Sequence, residues 1–388
     1  MKTLGKSALR LAYRLHAIVG IASAVLVAIV CISGSVAVYK PEIDRWTNAV
    51  HAEDVPRVPT ENAAVDEAVT AVERQHPDVR VTAIALPAGP ASQVTNGPFI
   101  GMQGKAADGA FEFFCHPATG ELLGSRPHGA SWGQWIRDLH IRLFAGTWGR
   151  VFVGVLGVVM LVSTLSGLAI YYHFNGKRWL PRWRPRRSAR ITAADVHRAS
   201  GLASAVAAVL FASTGAVLAW PAIDPTHTYP DFVEGEPPAR AQWAADLRSL
   251  AVRAEDEIPR TRAAFIVMPR SGDAAVRVYV DHPPRLLVRQ LASSVTFDPS
   301  TGDVLHRHDA SASSPVHRTF LAFEALHFGR FGGSQVLRLV WAIAGLLLGG
   351  VSLSGGVIWW LRRRKSKSGA LKRGASMSAA PPAITTSR

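Results

Sequence analysis

The sequence predicts an α-helical polytopic membrane protein, a bundle of four transmembrane helices in two parallel repeats, with two small α+β domains on its outer face. Three observations predict it. Four uncharged apolar stretches occupy residues 17–39, 151–172, 199–223 and 339–361. Basic residues gather in the segments that four crossings would return to one side. Pieces of the first half recur in the same order in the second.

A helix rising about 1.5 Å per residue needs about 20 residues to cross a hydrocarbon core about 30 Å thick. Each of the four stretches is that long, whereas a soluble core helix seldom runs so far without a charge. Lys2, Lys6, Arg10 and Arg14 precede the first stretch, as in a secretory signal. The stretch is long for such a signal, and Val38-Tyr39-Lys40-Pro41 is no small-residue cleavage site, so a retained helix is expected. The predicted order is then an N-terminal segment with the first span (1–39), an outer domain with an interfacial helix (40–150), the second span (151–172) and a basic loop (173–198). The third span (199–223), a second outer domain with its own interfacial helix (224–338), the fourth span (339–361) and a basic disordered tail (362–388) follow.

The formal net charge of +15 invites a nucleic-acid reading, but its distribution argues for topology. Residues 1–16 hold four Lys and Arg, residues 173–191 hold seven and the tail after residue 361 holds eight, all without an acid. Removing those 19 from the 43 leaves 24 basic against 28 acidic residues, so the remainder is mildly acidic. This is the positive-inside pattern, which assigns both termini and the central loop to the cytoplasm and the two domains to the outer face. Lipid is the expected partner and nucleic acid is not. Cys31 falls within a span and Cys115 within an outer domain, so no disulfide framework is expected, and Cys-x-x-Cys-His is absent.

The self-match begins with His16-Ala-Ile-Val-Gly-Ile-Ala-Ser-Ala-Val25 against His197-Arg-Ala-Ser-Gly-Leu-Ala-Ser-Ala-Val206. Gly34 answers Gly215, and Pro41-Glu-Ile-Asp44 answers Pro221-Ala-Ile-Asp224 after a one-residue slip. His116-Pro-Ala-Thr-Gly-Glu-Leu-Leu123 answers Asp298-Pro-Ser-Thr-Gly-Asp-Val-Leu305, Leu139-His140 answers Leu326-His327, and Leu165-Ser-Gly167 answers Leu353-Ser-Gly355. Both halves thus read span, outer domain, span in one orientation. Within the outer domains, residues 62–76 and 244–254 have helical spacing, and residues 79–88, 109–115, the region after Thr119-Gly120, 263–268, 275–281 and 293–297 read as strands. Pro-x-Thr-Gly is a hairpin turn. Trp132, Trp135, Ile136, Leu139 and Leu143 form an amphipathic stripe expected at the membrane interface.

An ionisable side chain at membrane depth calls for a partner or a function. His16 and His197 begin the first and third spans, and His140 and His327 precede the second and fourth at matched places. Neutral imidazole is a strong iron ligand, and helix bundles are a common seat for haem. A two-fold axis along the membrane normal would face His16 with His197 and His140 with His327, giving two axial pairs and a path for electrons. The other reading is that these histidines anchor at headgroups or bond a neighbouring carbonyl. His173 is a further candidate at the end of the second span, and His128 and His317 stand where they would approach an outer haem edge. His51, His116, His227, His282, His306 and His308 read as residues of solvated loops. Gly20, Gly34, Gly154, Gly157, Gly167, Gly345, Gly349 and Gly350 permit either close packing or room for a flat macrocycle. The Ser33-Gly34 and Thr214-Gly215 pairs read as structural. Phosphate-binding glycine motifs and protease motifs are absent, so electrons entering from inside would need a donor protein or a quinol.

Over residues 10–365 the chain resembles the PepSY-associated transmembrane proteins, often described as iron-regulated or iron-uptake membrane proteins. Leu15-His16 with Gly20, Asp195-Val-His197 with Gly201, Leu139-His140, Leu326-His327 and the following Ser-Gly pairs carry the resemblance, with Asp298-Pro-Ser-Thr-Gly302 in the outer domain. It implies two PepSY-like domains and two b-type haems whose iron is held by His16, His140, His197 and His327. It also implies a haem-dependent oxidoreductase that reduces a ferric siderophore or other ferric chelate. His116 stands where the second module has Asp298, a departure from the pattern. A different class of function is a non-enzymatic membrane scaffold whose domains bind peptides, a peptidase or an uptake partner.

The charge pattern makes a direct prediction. Reporter fusions after Arg190 and after Arg364 are expected to behave as cytoplasmic, and fusions near Pro90 and Asp273 as periplasmic; one fusion on the opposite side breaks the parallel arrangement.

Overall fold

The computed structural model describes residues 5–47, 55–56, 58–87, 98–176, 178, 188–220, 233–282, 291–329 and 334–378, excepting the side chains of residue 6 and of residues 365–378. His51, His227, Pro90, the Pro221-to-Asp224 counterpart and most of the central basic loop lie outside these residues.

Ten α-helices are described: α1 (Lys6–Ala37), α2 (Lys40–Thr47), α3 (Val65–Gln75), α4 (Trp132–Arg142), α5 (Gly146–Phe174), α6 (Ala189–Ala203), α7 (Ala205–Ala219), α8 (Leu247–Glu257), α9 (Pro315–Phe328) and α10 (Gln335–Ser378). Among the described residues three helical stretches are long and apolar enough to cross a membrane: Ser7–Ala37, Gly146–Phe174 and Gln335–Arg364. Apolar side chains around them, such as Ile18, Val25, Val155 and Leu346, stay exposed. That surface suits a hydrocarbon solvent, since the helices satisfy their own backbone groups. α10 continues beyond the apolar stretch as helix to Ser378, into the basic tail.

The third expected span is not one straight helix. α6 and α7 meet at Ser204 with a bend of 63°, and together they count as a fourth crossing only if the bent pair is one span. Ser204 turns both its amide (2.9 Å) and its hydroxyl (2.8 Å) onto the Ser200 carbonyl, with φ −94° and ψ 0°. With ψ at 0° the helical ladder is broken at this residue.

The chain divides into two compact units. The first comprises Met1–Ile32, Val155–Ser213 and Ala344–Arg388. In it α10 lies close on α1, where a Cβ on Gly349 would stand 2.8 Å from Ile32 Cγ1 and where the Ser352 hydroxyl donates to the Ala24 carbonyl at 2.9 Å. The second comprises Ser33–Gly154 and Thr214–Ile343 and contains the sheet.

The two segments expected as separate modules share one antiparallel sheet of eight strands. These are β1 (Arg80–Ala85), β2 (Ile100–Ala106), β3 (Gly109–Cys115), β4 (Leu122–Pro127), β5 (Arg262–Val267), β6 (Val276–Asp281), β7 (Ser293–Phe297) and β8 (Val304–His308). Their order is β4-β3-β2-β1-β5-β6-β7-β8. The seam between the halves is the β1–β5 pair, with Ile84 opposite Ile266. α3 and α8 bury Val65, Ala68, Val69 and Val72, and Leu247, Leu250, Ala251 and Ala254, in one continuous core with Ile84, Ile100, Phe113, Ile266, Val278 and Phe297. Asp66 of α3 accepts the Leu247 and Arg248 amides at 3.1 and 3.2 Å, so one half caps the helix of the other.

The Pro-x-Thr-Gly turns recur as expected, with Gly120 at φ +72° and Gly302 at φ +76°. Asp298 Oδ1 accepts the Ser300 amide at 2.7 Å, and His116 Nδ1 accepts the Ala118 and Thr119 amides at 3.3 Å. The imidazole therefore does the carboxylate's work as a turn acceptor, which accounts for the departure at residue 116.

A shared core makes the sheet one cooperative body. Ile84→Ala and Val278→Ala are each expected to cost about 2–4 kcal/mol and to shift the same thermal transition of the β-signal. Two separate transitions, each answering to only one substitution, would disprove a common core.

Candidate cofactor site

α1 carries His16 in its N-terminal part, and α6 carries His197. Within the first unit the two imidazoles have ring centroids 6.2 Å apart. His16 Nδ1 lies 2.9 Å from the Ser163 carbonyl oxygen on α5. His197 Nδ1 lies 3.1 Å from the Val351 carbonyl oxygen and 2.8 Å from Ser354 Oγ on α10. A carbonyl only accepts, so each Nδ1 carries the proton and each Nε2 keeps a free lone pair.

Each ring also packs over a glycine, tightly for His16 and with room to spare for His197. A Cβ on Gly167 would stand 2.8 Å from His16 Cε1, and one on Gly355 would stand 3.6 Å from His197 Cε1. Gly167 and Gly355 close the matched Leu-Ser-Gly pieces, and each faces the histidine from its own half of the chain.

The second unit repeats the arrangement. His140 on α4 and His327 on α9 have centroids 6.1 Å apart. His327 Nδ1 is 2.9 Å from Thr214 Oγ1. A Cβ on Gly34 would meet His140 Cε1 at 2.6 Å, and one on Gly215 would meet His327 Cε1 at 3.1 Å. The Ser33-Gly34 and Thr214-Gly215 pairs, read from sequence as structural, are thus places where imidazole rings pack. Both of these helices stop just past their histidine: α4 at Leu143 (φ +46°) and α9 at Gly329 (φ +65°).

α4 is held at its start by two acceptors. Ser131 Oγ takes the Gln134 amide at 2.9 Å, and Asp44 Oδ1 takes the Gly133 amide at 3.0 Å. Asp44 is 1% exposed and paired with Lys40 at 2.5 Å. A carboxylate there also satisfies the positive end of the helix. Its place in the matched Pro-x-Ile-Asp pieces was the sequence signal for this role.

The other three candidates are placed elsewhere. His173 packs on Phe174 with centroids 5.5 Å apart. His128 Nδ1 lies 2.9 Å from Glu112, a carboxylate that Arg126 also holds at 2.7 Å. His317 stacks edge-on against His308, with centroids 5.7 Å apart.

Two imidazoles bound trans to one transition-metal ion, with bonds of about 2.0 Å and ring centres about 1.1 Å further, have centroids about 6 Å apart. Both pairs match that separation. Among the described residues no group of three or more His, Cys, Asp and Glu converges as a metal cage. Two neutral nitrogens with the rest of the coordination left over suit an iron whose other ligands belong to a macrocycle. The residues present therefore fit haem.

The profile of a protein family described as the PepSY-associated TM region matches residues 13–362, which include all four paired histidines. An uncharacterised protein of Pseudomonas aeruginosa is 29% identical over 259 residues, which is 59% of this chain. The match spans 63% of that relative's length, a little under two thirds.

The seats differ in tightness, and that fixes an order. Gly34→Ala, with 2.6 Å to the ring, is expected to destabilise by about 1–3 kcal/mol through overpacking. Gly355→Ala, with 3.6 Å, is expected to be neutral or slightly stabilising, since alanine is the better helix former. Thermal unfolding of the two variants in detergent checks this; equal effects would mean that the rings do not rest on these glycines.

Proposed function

Because the chain belongs to the PepSY-associated TM region family, we propose that it is a four-span, two-repeat inner-membrane protein that carries two b-type haems and reduces a ferric chelate, such as a ferric siderophore, on its periplasmic side. The observation that carries this reading is the recurrence of one geometry at two places: paired rings 6.2 and 6.1 Å apart, each ring seated against a glycine. An anchoring histidine at a headgroup needs neither a partner ring nor a glycine seat. Haem, when bound, supplies a one-electron couple at each pair.

The chain's own residues set the ligand geometry. The Ser163 and Val351 carbonyls hold the Nδ1 protons of His16 and His197, which orients both Nε2 atoms and raises their basicity toward iron. Thr214 orients His327 through its Nδ1, and Gly34, Gly167 and Gly215 let their helices close tightly on the His140, His16 and His327 rings. α1 carries both His16 and Gly34, so one helix contributes to both sites. The basic segments support an orientation with both termini in the cytoplasm, where a donor protein or membrane quinol would deliver electrons. Reduction would release the metal, because hard oxygen chelators hold Fe(II) less tightly than Fe(III).

One observation favours a second reading. Among the described strands β4 and β8 are open edges, and an open edge accepts an extended peptide by strand addition, as a scaffold would.

Colour separates the two. The purified protein is expected to show a Soret band and reduced α-bands. His16→Ala and His197→Ala are each expected to lose the same half of the haem, and the double variant to lose no more, because a ligand pair acts as a unit. His140→Ala and His327→Ala are expected to behave likewise for the other half. Full haem in all four variants, or a colourless protein from haem-replete cells, would sink the proposal.

A further inference from the structure

His308 and His317 read from sequence as a loop residue and an outlying candidate, yet the fold brings them together. His308 ends the edge strand β8, and His317 lies in the first turn of α9. Their centroids are 5.7 Å apart. The short connection between them is pinned. Asp309 Oδ1 accepts the Ser311 amide at 2.8 Å, the Ala310 amide donates to Ser293 Oγ at 3.0 Å, and Ser314 Oγ accepts the His317 amide at 3.3 Å. The two rings are therefore presented by fixed backbone. Two imidazoles sharing one ion at angles from square to linear have centroids about 4.5–6 Å apart, and this pair lies inside that range.

We propose that His308 and His317 form a binding site for a divalent first-row transition-metal ion that still carries part of an anionic oxygen chelator. The chain supplies two nitrogen ligands, and no third protein ligand converges there among the described residues, which leaves the remaining positions to the chelator. The surroundings select the same cargo. The first turn of α9 is the positive end of its dipole, Arg318 follows His317 in sequence, and the Asp309 carboxylate beside His308 is engaged by the Ser311 amide and lies near Arg307. A bare cation is disfavoured there, whereas a metal wrapped in carboxylate or similar oxygens is drawn in. Imidazole suits borderline ions, with Cu(II) bound more tightly than Ni(II), Co(II) or Fe(II).

Its role in the cycle, unlike the site itself, rests on the reductase reading. One electron added to a ferric chelate yields Fe(II), a borderline ion. It then exchanges two chelator oxygens for two imidazole nitrogens without further redox change. The pair would thus take the product as it leaves its hard ligand.

Cu(II)–nitrilotriacetate is the probe, because it is anionic and leaves positions open for two nitrogens. The full chain in detergent is titrated with it and followed by EPR, which reports nitrogen coordination directly. One equivalent is expected to bind tightly, with affinity falling at least tenfold in His308→Ala and in His317→Ala and unchanged in His306→Ala. His306 is the control because it lies two residues along β8 on the same face. Unchanged binding in the His308→Ala/His317→Ala double variant overturns the site. So does loss on His306→Ala with retention on His317→Ala, which would assign the metal to two histidines of one strand. The thermal transition of each variant checks folding. Copper binding by a protein without a Soret band would leave this site standing and sink the haem reading; a haem-loaded protein indifferent to the probe would do the reverse.

Discussion

An imidazole packed against a neighbouring helix needs a gap wide enough for its ring and an acceptor for the proton on its far nitrogen. In this protein glycines give the rings room, and the Nδ1 partners are the Ser163 carbonyl for His16, the Val351 carbonyl and Ser354 hydroxyl for His197 and the buried Thr214 hydroxyl for His327. His16 rests by Gly167, His197 by Gly355, His140 by Gly34 and His327 by Gly215. Helix approach and ring orientation follow from these contacts. The Asp44 cap holds the start of α4, the helix that carries His140.

The sheet obeys a different constraint. Each half of the extra-helical chain brings one amphipathic helix and four strands, too little to enclose a core alone. Joining the halves at β1 and β5 lets α3 and α8 cover a single apolar face, and Asp66 stitches one helix to the start of the other. Cys115 lies within this core as a small apolar group, its thiol pushed up to about 12 by burial. That is a packing role rather than a redox one.

Much of this was legible in the sequence, and the boundary of legibility is physical. Long uncharged runs announce themselves because lipid tolerates little else, and the matched histidines stood out because charge-capable groups are rare beside such runs. The strand at Ile100–Ala106 was not found, since Gly101, Gln103, Gly104 and Lys105 spoil the alternation that marks a half-buried strand. The bend at Ser204 was hidden for the opposite reason. Serine is acceptable in an apolar helix, and nothing in its letter marks a residue whose ψ lies at 0°. The glycine seats were visible as letters but not as seats, because a glycine that admits a ring and one that admits a helix look alike until the partner is known. His116 was set apart as an anomaly when its nitrogen merely stands in for a carboxylate oxygen.

The strand order reads outward identically from the β1–β5 seam on both sides. Antiparallel pairing of like with like is the geometry of an isologous dimer interface, here built into one polypeptide. Cut into halves, either piece would present its innermost strand as a bare, unshielded edge, and a second copy of itself is a partner of matching shape. Covalent linkage removes that ambiguity. It fixes the two sides in equal number and lets them diverge, so that one carries Glu112 and His128 and the other His308 and His317 on an otherwise common plan.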